Sequence, residues 1–148
     1  MIDNPAYLLG DSSRLMRRAF DDRVRALGVT GPQARLLLLL ARMEGGNQGF
    51  FAELLEVEPI TLCRMVDRME ESGLVERRRD PADRRAWQLF LTARSNEFVA
   101  ELRSCVNGLV DELFAGISAE DRALFTRVLK DMRANLDIRN SGRVVANG

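Results

Sequence analysis

Residues 59 to 91 constrain this chain more than any other stretch. They run PITLCRMVDRMEESG, then LVERRR, DPADRR and AWQLFLT. Pro59 suits the first turn of a helix, where its missing N–H is no loss. Gly73 suits a helix stop, because it takes a left-handed backbone without a Cβ clash. Leu74 to Arg79 and Ala86 to Leu91 read as paired strands around a charged turn, Asp80 to Arg85. In the second strand Trp87, Leu89 and Leu91 alternate with Gln88 and Phe90, the strand period of two. A short helix, FFAELLE at 50 to 56, and a turn at Val57-Glu58 precede Pro59. Helix, turn, helix and arginine-rich hairpin, in that order, make a helix-turn-helix with a wing.

The flanking sequence is helical throughout. Asn4 and Pro5 start a helix that Gly28 can end, with Leu8, Leu15, Met16, Ala19, Phe20, Val24 and Leu27 at helical spacing. Thr30-Gly31-Pro32-Gln33 has the form of a capping box, and Gly45-Gly46 closes the next helix. That helix holds the run Leu36 to Leu40, apolar on every side and so suited to the middle of a core. After Thr92 a stripe of Phe98, Leu102, Val106, Leu109, Leu113 and Ile117 leads to a capping signal, Ser118 to Asp121. Leu124, Phe125, Val128, Leu129, Met132 and Leu136 then line a last helix. The fold expected is mainly α with a small β-hairpin wing, a winged helix-turn-helix domain flanked by dimerisation helices. The DNA-binding core spans 30–92, the dimerisation helices 5–27 and 93–138, and residues 140–148 form a frayed polar tail. All belong to one domain of 148 residues. The flanking helices carry more apolar surface than one small winged unit can cover, so a homodimer is expected.

Composition removes most competing chemistry. The chain has no histidine, the commonest acid–base group and metal ligand. It has no phosphate loop, dinucleotide fingerprint or nucleophile elbow. No catalytic residue, cofactor or metal site is expected. Cys63 and Cys105 lie far apart and match no metal spacing. The longest apolar run is far short of a membrane span and no signal pattern opens the chain, so no membrane role and a cytoplasmic location are expected. Formal net charge is zero, so distribution matters more than sum. Arginine outnumbers lysine 21 to 1. A GC-rich genome accounts for most of that bias, yet the guanidinium still binds phosphate and guanine edges with two-pronged geometry.

The arginines fall where a DNA reader needs them. Thr61, Arg64 and Arg68 share one face of the helix from Pro59, while Leu62, Met65, Val66 and Met69 fall on the opposite face. Arg77, Arg78, Arg79, Arg84 and Arg85 crowd into nine residues with Asp80 and Asp83 among them. The carboxylates can hold the turn while guanidinium groups reach phosphates or the minor groove. The bland alternatives are an ordinary solvated helix face and a charged turn that keeps a sheet edge soluble.

Residues 33 to 92 resemble the MarR family of winged-helix transcription regulators. The matching residues are Gln48, Ala52-Glu53-Leu54, Thr61-Leu62, Arg64, Val66 to Glu70, Gly73 to Val75, Asp80-Pro81, Asp83 to Arg85 and Leu89 to Thr92. The DPADRR turn before a strand ending in Leu-Thr is the most specific piece. The resemblance implies a ligand-responsive repressor that binds a pseudo-palindromic operator in double-stranded DNA as a homodimer. It also implies release by a small organic effector, an aromatic acid or aromatic acyl-thioester. Candidate DNA contacts are Pro59, Thr61, Arg64, Arg68, Arg79, Asp83, Arg84 and Arg85, with Arg84 or Arg85 entering the minor groove. Alternatives from other classes are a winged-helix protein-interaction module and a DNA-binding protein without a ligand.

Several positions depart from the family's pattern. Ala34 stands where an aromatic ring is usual, near the crease between DNA-binding and dimerisation helices. An enlarged ligand pocket lined by Tyr7, Arg14 and Ala34 is one consequence; a compensated packing change is the other. Glu56 replaces the usual small residue in the turn before the recognition helix, and Ser95 replaces a common glycine. Cys63 lies inside the recognition helix, where serine or threonine is frequent.

Overall fold

The computed structural model describes the backbone of residues 3–145 and the side chains of residues 3–137. The elements are α1 (Pro5–Arg25), α2 (Gly31–Leu40), α3 (Gln48–Leu54), α4 (Pro59–Glu71), β1 (Val75–Arg79), β2 (Trp87–Leu91), α5 (Ala93–Leu113) and α6 (Ala119–Val145). This is the mainly helical winged helix-turn-helix fold that the sequence implies. Among the described residues no helix is long and apolar enough to cross a membrane.

Local chemistry sets the helix starts. The Asn4 side chain accepts from the Ala6 N–H at 2.9 Å and begins α1. Thr30 and Gln33 form the reciprocal capping box of α2, each side chain accepting from the other's N–H at 3.3 and 3.1 Å. Asn47 accepts from the Phe50 N–H at 2.8 Å, so α3 opens at Gln48, ahead of the apolar stretch at 50 to 56. At its other end α2 stops at Leu40, before the glycine pair. The glycines serve the sheet instead. Gly45 N–H donates to the Leu89 carbonyl, Leu89 N–H donates to that of Gly46, and the Glu44 carboxylate accepts from Leu91 N–H. The loop thus meets the hydrogen-bonding demand of the β2 edge away from β1.

The chain divides into two compact units, residues 1–110 and 111–148, where the sequence reads as one domain. In the first, β1 and β2 pair antiparallel with Val75 opposite Leu91 and Arg79 opposite Trp87. Leu36, Leu37, Leu40, Phe51, Leu62, Val66, Met69, Leu89 and Leu102 are fully buried around α2. Leu38 and Leu39 are half-buried, so α2 is packed on nearly every side. Gly31 permits the approach of α1: a Cβ there would lie 1.7 Å from an Asp21 carboxylate oxygen. That oxygen pairs with Arg35 at 3.0 Å. Buried Ser95 exchanges hydrogen bonds with Thr92, whose hydroxyl also donates to the Gly73 carbonyl at 2.6 Å. Thr92 therefore caps α5 and ties it to the turn after α4, and Ser95 completes the reciprocal cap.

In the second unit the Ser118 hydroxyl caps α6 by accepting from Asp121 N–H at 3.1 Å. Phe114 meets Phe125 edge-on at 6.2 Å, with the Arg122 guanidinium over the Phe114 ring. The α6 helix runs to Val145, past residue 140, where the sequence reads as a frayed tail. Residues 146–148 of that tail lie outside the described residues. Leu113, Ile117, Leu124, Phe125, Val128 and Leu136 are exposed, as are Tyr7, Leu8, Leu15 and Met16 on α1.

Helices α3 and α4 end in the same turn. After α3, Glu56 N–H reaches the Glu53 carbonyl and Val57 N–H that of Ala52; after α4, Gly73 reaches Glu70 and Leu74 reaches Met69. The pivotal residue has positive φ in both, +54° at Glu56 and +74° at Gly73. The left-handed conformation is free for glycine and costs an L side chain about 1–2 kcal/mol. Glu56→Gly should therefore stabilise the fold by about 0.5–1 kcal/mol after glycine's greater unfolded-state entropy is subtracted. That corresponds to a Tm rise of roughly 2–4 °C in calorimetry. A fall in Tm would show that the Glu56 side chain makes a contact outweighing the strain.

Candidate nucleic-acid interface

Helix α4 buries Leu62, Val66 and Met69 and exposes Thr61, Arg64 and Arg68 on the other side. These three share a face as their spacing requires. None of their side chains has a hydrogen bond or ion pair with another described residue. Pro59 is exposed at the helix start and leaves no N–H to satisfy there. The N-terminal end carries the positive end of the helix dipole, which favours anions.

The hairpin is fastened to this helix by Arg77. Its side chain is only 10% exposed and is fully engaged. One terminal nitrogen donates to Asp67 at 2.5 Å and to Glu70 at 3.4 Å. The other donates to the Cys63 carbonyl at 3.1 Å, and Nε donates to Gln48 Oε1 at 3.2 Å. Arg77 N–H also reaches Glu70 at 3.1 Å. One guanidinium thus joins β1 to α4 and to the first residue of α3. It is withdrawn from the group of arginines free to meet phosphate.

The other hairpin arginines divide the same way. Arg78 pairs with Glu76 and lies 4.0 Å over the Phe90 ring. Arg79 stacks 4.5 Å over Trp87 and donates to the Arg84 carbonyl at 2.8 Å. Asp80 and Asp83 hold the turn by accepting from Ala82 and Arg85 N–H, each at 2.9 Å. Arg79 and Asp83 therefore shape the wing from inside. Only Arg84 and Arg85 remain at its tip, exposed and without a side-chain partner among the described residues.

The fold that carries this helix and hairpin is shared with known proteins. Residues 29–87 match the model of the MarR family. A solved MarR structure is 30% identical, covering 95% of this chain and 96% of that one, with a TM-score of 0.81. The transcriptional regulator PA3341 is 32% identical over 89% of this chain and 97% of its own, with a TM-score of 0.78. A MarR-family regulator from Silicibacter pomeroyi is 28% identical over 88% of each chain, with a TM-score of 0.75. The chain belongs to the MarR family.

It is accordingly a DNA-binding transcriptional regulator and not an enzyme. Family members typically dimerise. The three residues expected to line an effector pocket are not brought together in this MarR protein. Ala34 is fully buried, Tyr7 is 67% exposed, and Arg14 is held by Asp11 on the α1 surface at 2.7 Å. Neither Tyr7 nor Ala34 lines the clefts along α1, at the α1–α2 turn or beside α5. Ala34 lies within the buried core around α2. The cleft beside α5, of about 460 Å³, opens between Leu27, Gln33, Arg68, Leu74, Arg94 and Phe98. Spacing along the chain cannot reveal it, because its walls come from three separate stretches, 27–33, 68–74 and 94–101.

Internal and free arginines should behave differently on substitution. Arg77→Met removes four side-chain hydrogen-bond partners and should cost about 2–3 kcal/mol in urea denaturation. Arg84→Ala and Arg85→Ala, whose side chains have no partner among the described residues, should stay within about 0.5 kcal/mol of the parent. Equal effects from all three would contradict this division.

Proposed function

We propose that this MarR protein is a homodimeric repressor acting in the cytoplasm. In this reading α4 enters the major groove of a pseudo-palindromic operator and the wing tip meets the adjoining minor groove. The observation that carries it is the set of donors without a partner among the described residues, Thr61, Arg64, Arg68, Arg84 and Arg85, on a helix and hairpin joined through Arg77. Thr61 and Arg64 supply base-edge or adjacent phosphate contacts, Arg68 a phosphate contact, and Arg85 the minor-groove contact. Pro59 fixes the start of the reading helix. Arg79 and Asp83 act by holding the wing's shape.

The dimer is supported by the apolar residues left exposed on α1 and between Leu113 and Leu136. Burial of such surface contributes about 25 cal/mol per Å², and a second copy supplies the cover. Residues 30–92 then form the DNA-binding core, with 5–27 and 93–138 as dimerisation helices. An aromatic acid or its acyl-thioester is proposed as effector, bound in the cleft of Arg68, Arg94 and Phe98 rather than at Ala34. Phe98 offers a ring and the arginines a carboxylate partner. Arg68 belongs to both this cleft and the α4 face, so a ligand there can favour a state poorer in DNA binding.

Binding isotherms on an operator duplex at several salt concentrations test the reading. Two chains per duplex are expected, with affinity falling steeply as salt rises. Arg64→Ala should relax sequence preference, a base-edge contact being worth roughly 1–3 kcal/mol. Arg85→Ala should weaken binding on all sequences and lower the salt slope by about one. Benzoate, the simplest aromatic acid, should weaken binding in the parent and less so in Phe98→Ala. One chain per duplex, or parent-like binding by both arginine variants, would overturn the dimer or the assignment of α4 and wing.

A further inference from the structure

Helix α4 shows one exception on its exposed face. Thr61, Arg64, Asp67, Arg68 and Glu71 are all polar and all exposed. Ile60 lies on the same face, one turn before Arg64, and is 59% exposed. A lone exposed apolar residue on a protein surface is ordinary. This one occupies the second position of α4, in the turn that reaches base edges when such a helix enters a major groove. A β-branched residue there gains nothing in helix propensity and packs against nothing in the core.

Charge along the helix separates its two ends. Asp67 is neutralised by Arg77 at 2.5 Å. Glu71 has no ion-pair partner among the described residues and sits in the last turn. Arg68 in the same turn serves a phosphate, and the Glu71 carboxylate beside it offers no apolar surface to a base. The N-terminal half, with Ile60, Thr61 and Arg64, is the part suited to a base edge. The only apolar group on a major-groove edge is the C5-methyl of thymine.

We infer that Ile60 is a specificity-determining residue that reads a thymine C5-methyl by direct apolar contact, beside the polar contacts of Thr61 and Arg64. The inference rests on the proposal that α4 is the reading helix. The contact needs no hydrogen bond, so it adds a preference for thymine over cytosine at one base pair of each half-site. Burying one methyl against the Ile60 side chain corresponds to about a fourfold change in affinity.

The test uses the full-length protein and an operator duplex that it has itself selected from random sequence. Each thymine of a half-site is replaced in turn by deoxyuridine, which removes only the methyl. At one position the parent should lose about fourfold in affinity, and Ile60→Ala should bind thymine and deoxyuridine there equally. Substituting 5-methylcytosine for cytosine at that position should restore part of the parent's affinity and leave Ile60→Ala unchanged. Circular dichroism checks that Ile60→Ala folds, as an exposed site requires. If the parent ignores deoxyuridine everywhere, or Ile60→Ala discriminates as the parent does, the role of Ile60 is overturned while α4 as reading helix survives. If no duplex is selected at all, both fall.

Discussion

The Arg77 guanidinium is the contact on which the DNA-facing half of the molecule depends. A two-stranded hairpin has little stability of its own, and this one carries charge along β1 and its turn. Arg77 reaches from β1 to Asp67 and Glu70 on α4, to the Cys63 carbonyl and to Gln48 at the start of α3. Three elements are thereby set in one frame. The side chains of Arg84 and Arg85 at the turn can then stand at a fixed distance from Thr61 and Arg64 on the helix. Pre-set geometry matters because ordering a loop on binding subtracts from affinity.

Other contacts serve the same frame from behind. The loop at 44–46 pairs with the outer edge of β2, and the Glu44 carboxylate takes the Leu91 N–H. Thr92 joins the end of the hairpin to the Gly73 carbonyl and, through Ser95, to the start of α5. Matching turns at Glu56 and Gly73 fix where α4 begins and ends. The buried leucines of α2 supply the support beneath. The exposed donors are thus free of structural duty, which is the condition for a surface that meets a charged polymer and releases it.

The parts legible in the sequence are those written in local spacing. The caps at Asn4 and Thr30, the stop at Gly73 and the alternation from Trp87 to Leu91 each depend on neighbours within four residues. The parts that are not legible depend on distant partners. Nothing in the string ERRR separates Arg77, which is consumed by the fold, from Arg78 and Arg79. The glycine pair at 45 and 46 suits a helix stop and a strand partner equally, and only the position of β2 decides. Ala34 is small, but whether a small side chain leaves space depends on neighbours distant in the chain, and it is buried among them. Ile60 is hidden in the sequence because apolar residues near a helix start are usually core; its exposure is a property of the packed helix.

Whether Arg77 sets the wing against α4 can be read from two footprints of the operator compared between the parent and Arg77→Met: dimethyl sulfate at guanine N7 for the major groove, and hydroxyl radical at the sugars for the minor groove. The parent should protect two major-groove segments about 10 base pairs apart, each flanked by a protected stretch of minor groove. Arg77→Met, at concentrations that saturate the duplex, should keep the major-groove protection and lose the flanking protection. An unchanged footprint in the variant would show that the wing finds its groove without Arg77, and would contradict the dependence of the DNA-facing half on that one guanidinium.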